Sequence, residues 1–326
     1  MSGERRGAWH HLVLALMIGS CVLAGACSLP STAEAQAQIA FVKKGAGAKY
    51  SHLWTIAPDG TGLKRITSTS SNDLAPTWSP GRGTIAFMRS KPDNVLDRRA
   101  RLMLMRSDGS NARVLAYEGP SLTTGSEALA YSPNGRLLAG GVVLRNSGGY
   151  WTEVAVTVLN LNAKKSQMIV RGLGMNAIQS LSWSPDSSQL VATTDFGGGY
   201  GSMRIDVAKK RGLNSFHGSY GGYGGLTRSA SWRPDGEYVL CGIWFIEEPG
   251  YPFRTQLLRP DGTVVSTLGD GQLSAVYAPD GQRYAFLQYV TGYAPQSLKV
   301  ADGDGANVTT IYRGVSGELL SSPAWK

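Results

Sequence analysis

The chain has few of the residues on which catalysis and cross-linking most often rest. Of its 326 residues only three are cysteine, at 21, 27 and 241, and four are histidine. Cys21 and Cys27 lie in or beside an N-terminal apolar stretch. If Cys27 is lost or lipidated, the rest of the chain keeps one thiol and has no internal disulfide. Cys241 stands in an apolar run and reads as a small core residue. Only His52 and His217 lie beyond the first turns of the N-terminus, which excludes a zinc site built on a histidine cluster. No Gly-x-Ser-x-Gly nucleophile elbow occurs. Basic residues give a net charge of +9, yet they are spread thinly, in pairs and triplets such as Lys43-Lys44, Arg98-Arg99 and Lys209-Lys210-Arg211. Without a long Lys/Arg run, no nucleic-acid partner is expected. The longest apolar stretch, Leu12 to Ala26, is short for a membrane span.

What is abundant is glycine, 42 residues without a three-residue period, alongside 42% hydrophobic residues. That excludes collagen and favours an all-β domain with many tight turns.

The N-terminus reads as a targeting segment, with Arg5 and Arg6 ahead of the apolar stretch. Two processing sites compete. Leu23-Ala24-Gly25-Ala26-Cys27 resembles a lipobox, with lipidation at Cys27 after a signal peptide spanning 1–26. Ala33-Glu34-Ala35 offers small-x-small cleavage after residue 35 instead. Residues 27–38 then form a short tether and 39–326 the folded domain. The chain is expected to be exported, either periplasmic or membrane-anchored as a lipoprotein, with membrane contact only through that anchor.

One motif recurs: an aromatic residue, a Pro-Asp-Gly-like turn, then an apolar strand. It reads Trp78-Ser79-Pro80-Gly81, Tyr131-Ser132-Pro133-Asn134-Gly135, Trp183-Ser184-Pro185-Asp186-Ser187, Trp232-Arg233-Pro234-Asp235-Gly236 and Tyr277-Ala278-Pro279-Asp280-Gly281. Trp325 stands at the sixth occurrence. The intervals run from 45 to 53 residues. Pro presets φ at the second turn position, Asp or Asn suits the next, and Gly accepts the left-handed conformation. A second turn, such as Pro58-Asp59-Gly60 or Pro260-Asp261-Gly262, splits each unit again. Asn160-Leu161-Asn162 and Asp206-Val207-Ala208 replace it in the third and fourth repeats. Each unit therefore holds four strands in two hairpins.

Six such units predict an all-β, six-bladed β-propeller with four-stranded antiparallel blades. The opening run Ile39-Ala40-Phe41-Val42 matches the strand that follows the aromatic turn. The closing run Ser322-Pro323-Ala324-Trp325 matches the strand that precedes it. The N- and C-terminal strands should thus close the ring in one blade. The lack of any Trp-Asp dipeptide disfavours the WD40 version of the fold.

The Trp-Ser-Pro-Asp-Gly turns and the Asp-Gly-x-x-x-x-Arg-Ile-Thr element, seen at Arg65-Ile66-Thr67 and Trp78-Ser79-Pro80, resemble the repeats of the TolB-like propeller family. The resemblance spans Ile39 to Trp325. It implies a cell-envelope propeller without the N-terminal α/β domain that TolB carries before its own, since the repeats here begin about a dozen residues after Cys27.

Longer connections should gather on the face opposite the Asp-Gly turns, and long loops on a rigid scaffold are the usual place for recognition. They are rich in aromatics: Tyr150, Trp151, Tyr200, Tyr220, Tyr223, Trp244, Tyr251, Phe253 and Tyr293, with His217 beside the Gly/Tyr run 218–225. Tyr on Gly-rich loops suits stacking and adaptable hydrogen bonding. The expectation is a monomeric, non-enzymatic binding protein that recognises an envelope protein, a peptide or a glycan. The alternative is a polysaccharide lyase with His217 or Tyr220 as base and Arg145 neutralising a uronate. No cofactor or metal is expected. Asp302-Gly303-Asp304-Gly305 lacks the spacing of a calcium loop and reads as a turn.

Overall fold

The computed structural model describes residues 37–91, 100–122, 128–145, 152–173, 177–195, 200–217, 226–245, 253–289, 295 and 297–326. The strands of the first blade are β1 (Ile39–Lys44), β2 (His52–Ile56) and β3 (Lys64–Arg65). The second has β4 (Asn72–Trp78), β5 (Thr84–Ser90), β6 (Arg101–Arg106) and β7 (Arg113–Val114). The third has β8 (Leu129–Tyr131), β9 (Leu137–Arg145), β10 (Thr152–Asn160) and β11 (Lys165–Arg171). The fourth has β12 (Ile178–Trp183), β13 (Gln189–Asp195), β14 (Tyr200–Asp206) and β15 (Arg211–His217). The fifth has β16 (Leu226–Trp232), β17 (Val239–Trp244), β18 (Phe253–Leu258) and β19 (Val264–Asp270). The sixth has β20 (Gln272–Tyr277), β21 (Arg283–Gln288), β22 (Ser297–Asp302) and β23 (Thr309–Arg313). The last strand, β24 (Leu319–Trp325), pairs antiparallel with β1 and completes the first blade. The fold is a six-bladed β-propeller whose ring is closed by its N- and C-terminal strands.

The recurrent motif works as a hydrogen-bonded turn. In the fourth blade Ser184 Oγ donates to Asp186 Oδ1 at 2.5 Å and accepts from the Gln189 amide at 2.9 Å. Asp186 Oδ1 also accepts from the Ser188 amide at 3.0 Å. Ser132 and Asn134 repeat these bonds in the third blade. The short polar side chains satisfy backbone groups that the chain reversal leaves unpaired. In the repeats without Asp-Gly, Asn160 Oδ1 takes the Asn162 and Ala163 amides and Asp206 Oδ1 takes the Lys209 amide. Lys164 and Lys210 there adopt φ of 51° and 52°, the left-handed conformation that Gly supplies elsewhere.

The aromatic residue that opens each turn is packed between successive blades. Trp78 belongs to a core cluster with Ala40, Val42 and Leu53 of the first blade, and Trp183 to one with Ala128 and Ala130 of the third. Their indole Nε1 atoms donate across the seam to the carbonyls of Ala324 at 3.1 Å and Ala130 at 3.0 Å. A buried Trp thus pairs its one polar atom while hiding its large apolar surface. The residue before the aromatic makes a second tie. Thr77 Oγ1 accepts from the Tyr131 amide, Ser182 Oγ from that of Trp232 and Ser231 Oγ from that of Tyr277. Each hydroxyl therefore reaches the aromatic residue of the following blade.

The antiparallel order fixes the two faces. Turns between the first and second strands of a blade, and between the third and fourth, lie on one side. The longer second-to-third connections and the blade-to-blade connections lie on the other.

Candidate functional site

The innermost strands surround a central cavity of about 540 Å³. All six contribute to its wall, through residues such as Ala75, Leu129, Ser182, Ser231, Ala275 and Pro323. Ser90, Ala177 and Tyr289, which stand at strand ends on the long-connection side, also line it. The seam aromatics Trp78, Trp183 and Trp232 do not. The cavity therefore occupies the half of the channel toward the long connections.

Five of the six inner strands carry one extra residue opposite their neighbour at this level. The register shifts fall at Leu74/Thr77, Ile178/Ser180, Thr227/Ser229 and Leu273/Val276, and between Ser321 and Ala324 opposite Ala40/Val42. Such bulges bend a strand and re-aim the side chain of the extra residue. Ala75, Ser274 and Ser322 take φ of 49°, 54° and 50° at these points. In β16 the extra residue is Arg228, and the bulge sets it on the cavity wall. It is the one charged side chain among the described lining residues.

The guanidinium of Arg228 lies 5.0 Å from the centre of the Trp244 ring. Trp244 and Phe253 are directly opposed across β17 and β18, and their rings stack at 5.8 Å and 23°. Phe253 in turn meets Tyr289 at 4.8 Å. A cation flanked by aromatic faces is held by the ring quadrupole at about 0.5–2 kcal/mol. Beside this group Arg254 lies over Phe245 at 4.8 Å and pairs with Asp270 at 2.9 Å. Burial raises the phenol of Tyr289 above its usual range, against a smaller opposite pull from Arg228. Tyr289 is therefore a neutral donor at ordinary pH. The result is a run of packed aromatics and one cation, with Arg228 and Tyr289 of this group on the cavity wall beside several serines.

Two of the residues expected from the sequence, Trp244 and Phe253, are brought together here. Tyr200 begins β14, and His217 ends β15 opposite Ser202, so both backbones reach the long-connection side. Tyr150, Trp151, Tyr220, Tyr223, Tyr251, Tyr293 and the lipidation candidate Cys27 lie outside the described residues. Arg228 and Tyr289 were missed. A lone arginine inside Leu226-Thr227-Arg228-Ser229-Ala230 was the available signal, because a charge is costly in an innermost strand unless it faces the channel. Among the described residues no group of three or more His, Cys, Asp or Glu side chains converges. His52 instead adjoins a structural ion pair. Asp73, fully buried, receives Arg89 at 2.6 and 3.1 Å. Burial, and then Arg65, lower the His52 pKa below its ordinary value.

No family model and no curated protein matches the chain. Solved structures do. TolB from Acinetobacter baumannii is similar over 88% of this chain and 66% of that one, at a TM-score of 0.67 and 17% identity. A putative TolB from Agrobacterium tumefaciens is similar over 89% of this chain and 99% of that one, at 0.60 and 14%. The fold is that of a TolB-like propeller. The same architecture also carries an oligogalacturonate lyase from Vibrio parahaemolyticus, which is similar over 85% of this chain and 82% of that one, at 0.54 and 11%. The chain spans just under two-thirds of the Acinetobacter protein. A shared fold at such identities leaves chemistry to the site residues.

Proposed function

We propose that the protein is a non-enzymatic binding protein of the cell envelope, which holds an envelope protein, a peptide or a glycan on its long-connection face and channel mouth. The observation that carries this reading is the Arg228–Trp244–Phe253–Tyr289 cluster, whose Arg228 and Tyr289 line the cavity. Aromatic and Arg anchors beside a pocket are the residues that dominate recognition energetics. The aromatic loop residues Tyr150, Trp151, Tyr200, Tyr220, Tyr223, Tyr251 and Tyr293, with His217, belong to the same proposed surface. The TolB likenesses support an interaction role. The N-terminal segment supports export, with lipidation at Cys27 or release after residue 35.

A photo-crosslinking amino acid placed at position 244 in producing cells is expected to give a defined adduct. The same residue at Val264, exposed at the opposite rim, should give none. Replacing Tyr220 and Tyr223 by Ala should erase the adduct at 244 without moving the melting temperature. Equal adducts at 244 and 264 would refute the placement. Release of unsaturated products from an anionic polysaccharide, abolished by His217→Ala, would instead make the chain a lyase.

A further inference from the structure

Charge is unevenly divided along the chain. Residues 37–122, which supply β1 to β7, hold thirteen Lys or Arg against six Asp or Glu, whereas residues 123–326 hold seventeen against fifteen. Much of the surplus meets at the long-connection end of the first two blades. Asp73, Arg89 and Arg101 stand in one row across β4, β5 and β6, because Asp73 is opposite Arg89 and Arg89 is opposite Arg101. Residues opposed in this way share a face of the sheet. Asp73 is fully buried, and both its oxygens receive Arg89. Arg101 is exposed and stands opposite this second guanidinium, an arrangement that costs stability unless an anion covers it. The first blade adds to the row. The Asp73 amide donates to the Ser51 carbonyl at 3.0 Å, and the Ser51 amide donates to Asn72 Oδ1 at 2.9 Å. Burial, then Arg65, then Arg89 lower the pKa of His52, the next residue, against an opposite pull from Asp73, so both guanidiniums lie in its field. Lys91 follows Ser90, which is opposite Asn72, and both Arg65 and Lys91 are exposed. Among the described residues no acid pairs with Arg65, Lys91 or Arg101. By contrast Arg171 and Arg254, at the corresponding ends of the third and fifth blades, pair with Glu153 at 3.1 Å and Asp270 at 2.9 Å. The sequence of the connection 92–99 has two Asp and two Arg and adds no net charge.

We infer that the long-connection end of the first two blades binds an acidic glycan, a chain of sugars that carry carboxylates, through Arg65, Lys91 and Arg101. This rests on the binding reading above and names the chemistry of the partner. Repeated anions on a hydrated polymer match cations of one sign spread over two blades, and a guanidinium fork takes a carboxylate in two parallel bonds. A protein partner calls for an apolar or aromatic centre, and β4, β5 and β6 expose no large apolar side chain. A lipid surface fits less well, because the chain enters the domain on the other side. Ile39 is opposite Trp325, and the Gln38 carbonyl accepts the Lys326 amide, at the end of β1 remote from Lys44. The N-terminal segment therefore joins the domain at the short-turn face.

Titration of the protein with a fluorescein-labelled oligogalacturonate, against a labelled neutral dextran of equal length, tests this. The acidic chain should bind about tenfold tighter or more, and the preference should shrink as salt is raised. Arg65→Gln combined with Arg101→Gln should weaken it about tenfold. Arg101→Gln alone should not lower the melting temperature, since it removes a like-charge opposition. Arg106→Gln combined with Arg113→Gln takes the same charge from exposed positions at the short-turn end of the second blade and should change the affinity less than about twofold. Equal losses in the two double variants would reflect general attraction to a basic protein and overturn the inference. Bound glycan should raise the pKa of His52, followed by proton NMR, because its carboxylates offset Arg65. An unmoved His52 signal at saturation overturns the placement. Should the Arg65/Arg101 variant fail to fold, Arg101→Glu, which gains Arg89 as a partner, takes its place, and undiminished affinity there overturns the inference as well. Binding to phosphatidylglycerol vesicles with none to the oligogalacturonate overturns it in favour of a lipid surface. If no acidic glycan binds while the adduct at 244 persists, this surface falls and the binding face stands. If the glycan binds and no adduct forms, the reverse holds.

Discussion

Gly271 is the whole connection between β19 and β20, and it holds φ at 68°. Its amide donates to the Phe253 carbonyl at 2.5 Å, and its carbonyl accepts the Tyr289 amide at 2.7 Å. One residue therefore ties together the backbones of two aromatics whose rings meet beside the cavity. A Cβ at this position would stand 2.3 Å from the Tyr289 carbonyl oxygen, which is backbone and cannot swing aside. Arg82 also occupies the left-handed region, at 57°, but does so in an exposed turn. Gly271→Ala should thus cost about 2 kcal/mol or more, from the left-handed penalty plus the displaced backbone. Denaturant unfolding would measure the loss. The near-ultraviolet signal of the aromatic stack should change with it, and an unaltered midpoint would mean the connection is slack. Cys241, by contrast, is fully buried, and burial alone pushes its thiol well above the usual range, so it contributes volume to the core and no reactivity.

Among the elements, the seam between the sixth and first blades is fastened by charges. Lys43 on β1 contacts Glu318 at 2.9 Å and stands 4.6 Å from the Trp54 ring and 4.8 Å from that of Tyr312. Tyr312 on β23 donates its hydroxyl to the other oxygen of Glu318 at 2.6 Å. Burial alone would raise the Glu318 carboxyl. The bonds from Tyr312, Lys43 and the Val315 amide together outweigh it and hold the carboxyl below its ordinary value. A carboxylate depressed in the folded state adds stability that is present above its unfolded pKa and is lost as pH falls through the folded one. The melting temperature should therefore drop as pH is lowered from about 6 toward about 3, and Glu318→Gln should flatten part of that drop. A Gln variant with the same pH slope would exclude this clasp as the cause. The elements themselves were legible in the chain. The aromatic-Pro-Asp-Gly turn is local, and its polar side chains satisfy backbone groups within five residues. Ser180-Leu181-Ser182-Trp183 and Ser229-Ala230-Ser231-Trp232 were visible too, but their meaning lies in amides 45 to 50 residues away. The rim cluster was half legible for the same reason. Trp244 and Phe253 flank one connection, whereas Arg228 arrives through a bulge and Tyr289 through the next blade.

At the scale of the whole molecule, stability depends on a ring that has to close. Each inner strand is the edge of its own sheet, and in the first blade that edge is supplied by the far end of the chain. Ile39 pairs with Trp325, Ala40 with Ala324 and Val42 with Ser321, and the Lys326 amide reaches the Gln38 carbonyl at 2.9 Å. The carbonyl of Ala324 accepts the Trp78 indole, so the second blade leans on the same strand. Trp325 itself is buried with Ile39, Phe41, Ala285 and Leu287, which joins the first and sixth blades. Truncating a buried Trp alone costs about 3–5 kcal/mol. Removing residues 321–326 adds the loss of the β1 ladder and strips Ser321, Ser322 and Pro323 from the cavity wall. Those terms together rival the 5–15 kcal/mol by which a domain is ordinarily stable. The shortened chain should therefore unfold, or else pair its exposed β1 edge with another copy. Trp325→Ala should fold with a lowered melting temperature and keep the association state of the parent. Melting curves and sedimentation velocity on the two variants separate these outcomes. A truncated chain that stays monomeric with the parent melting temperature would show that the ring does not need its last strand.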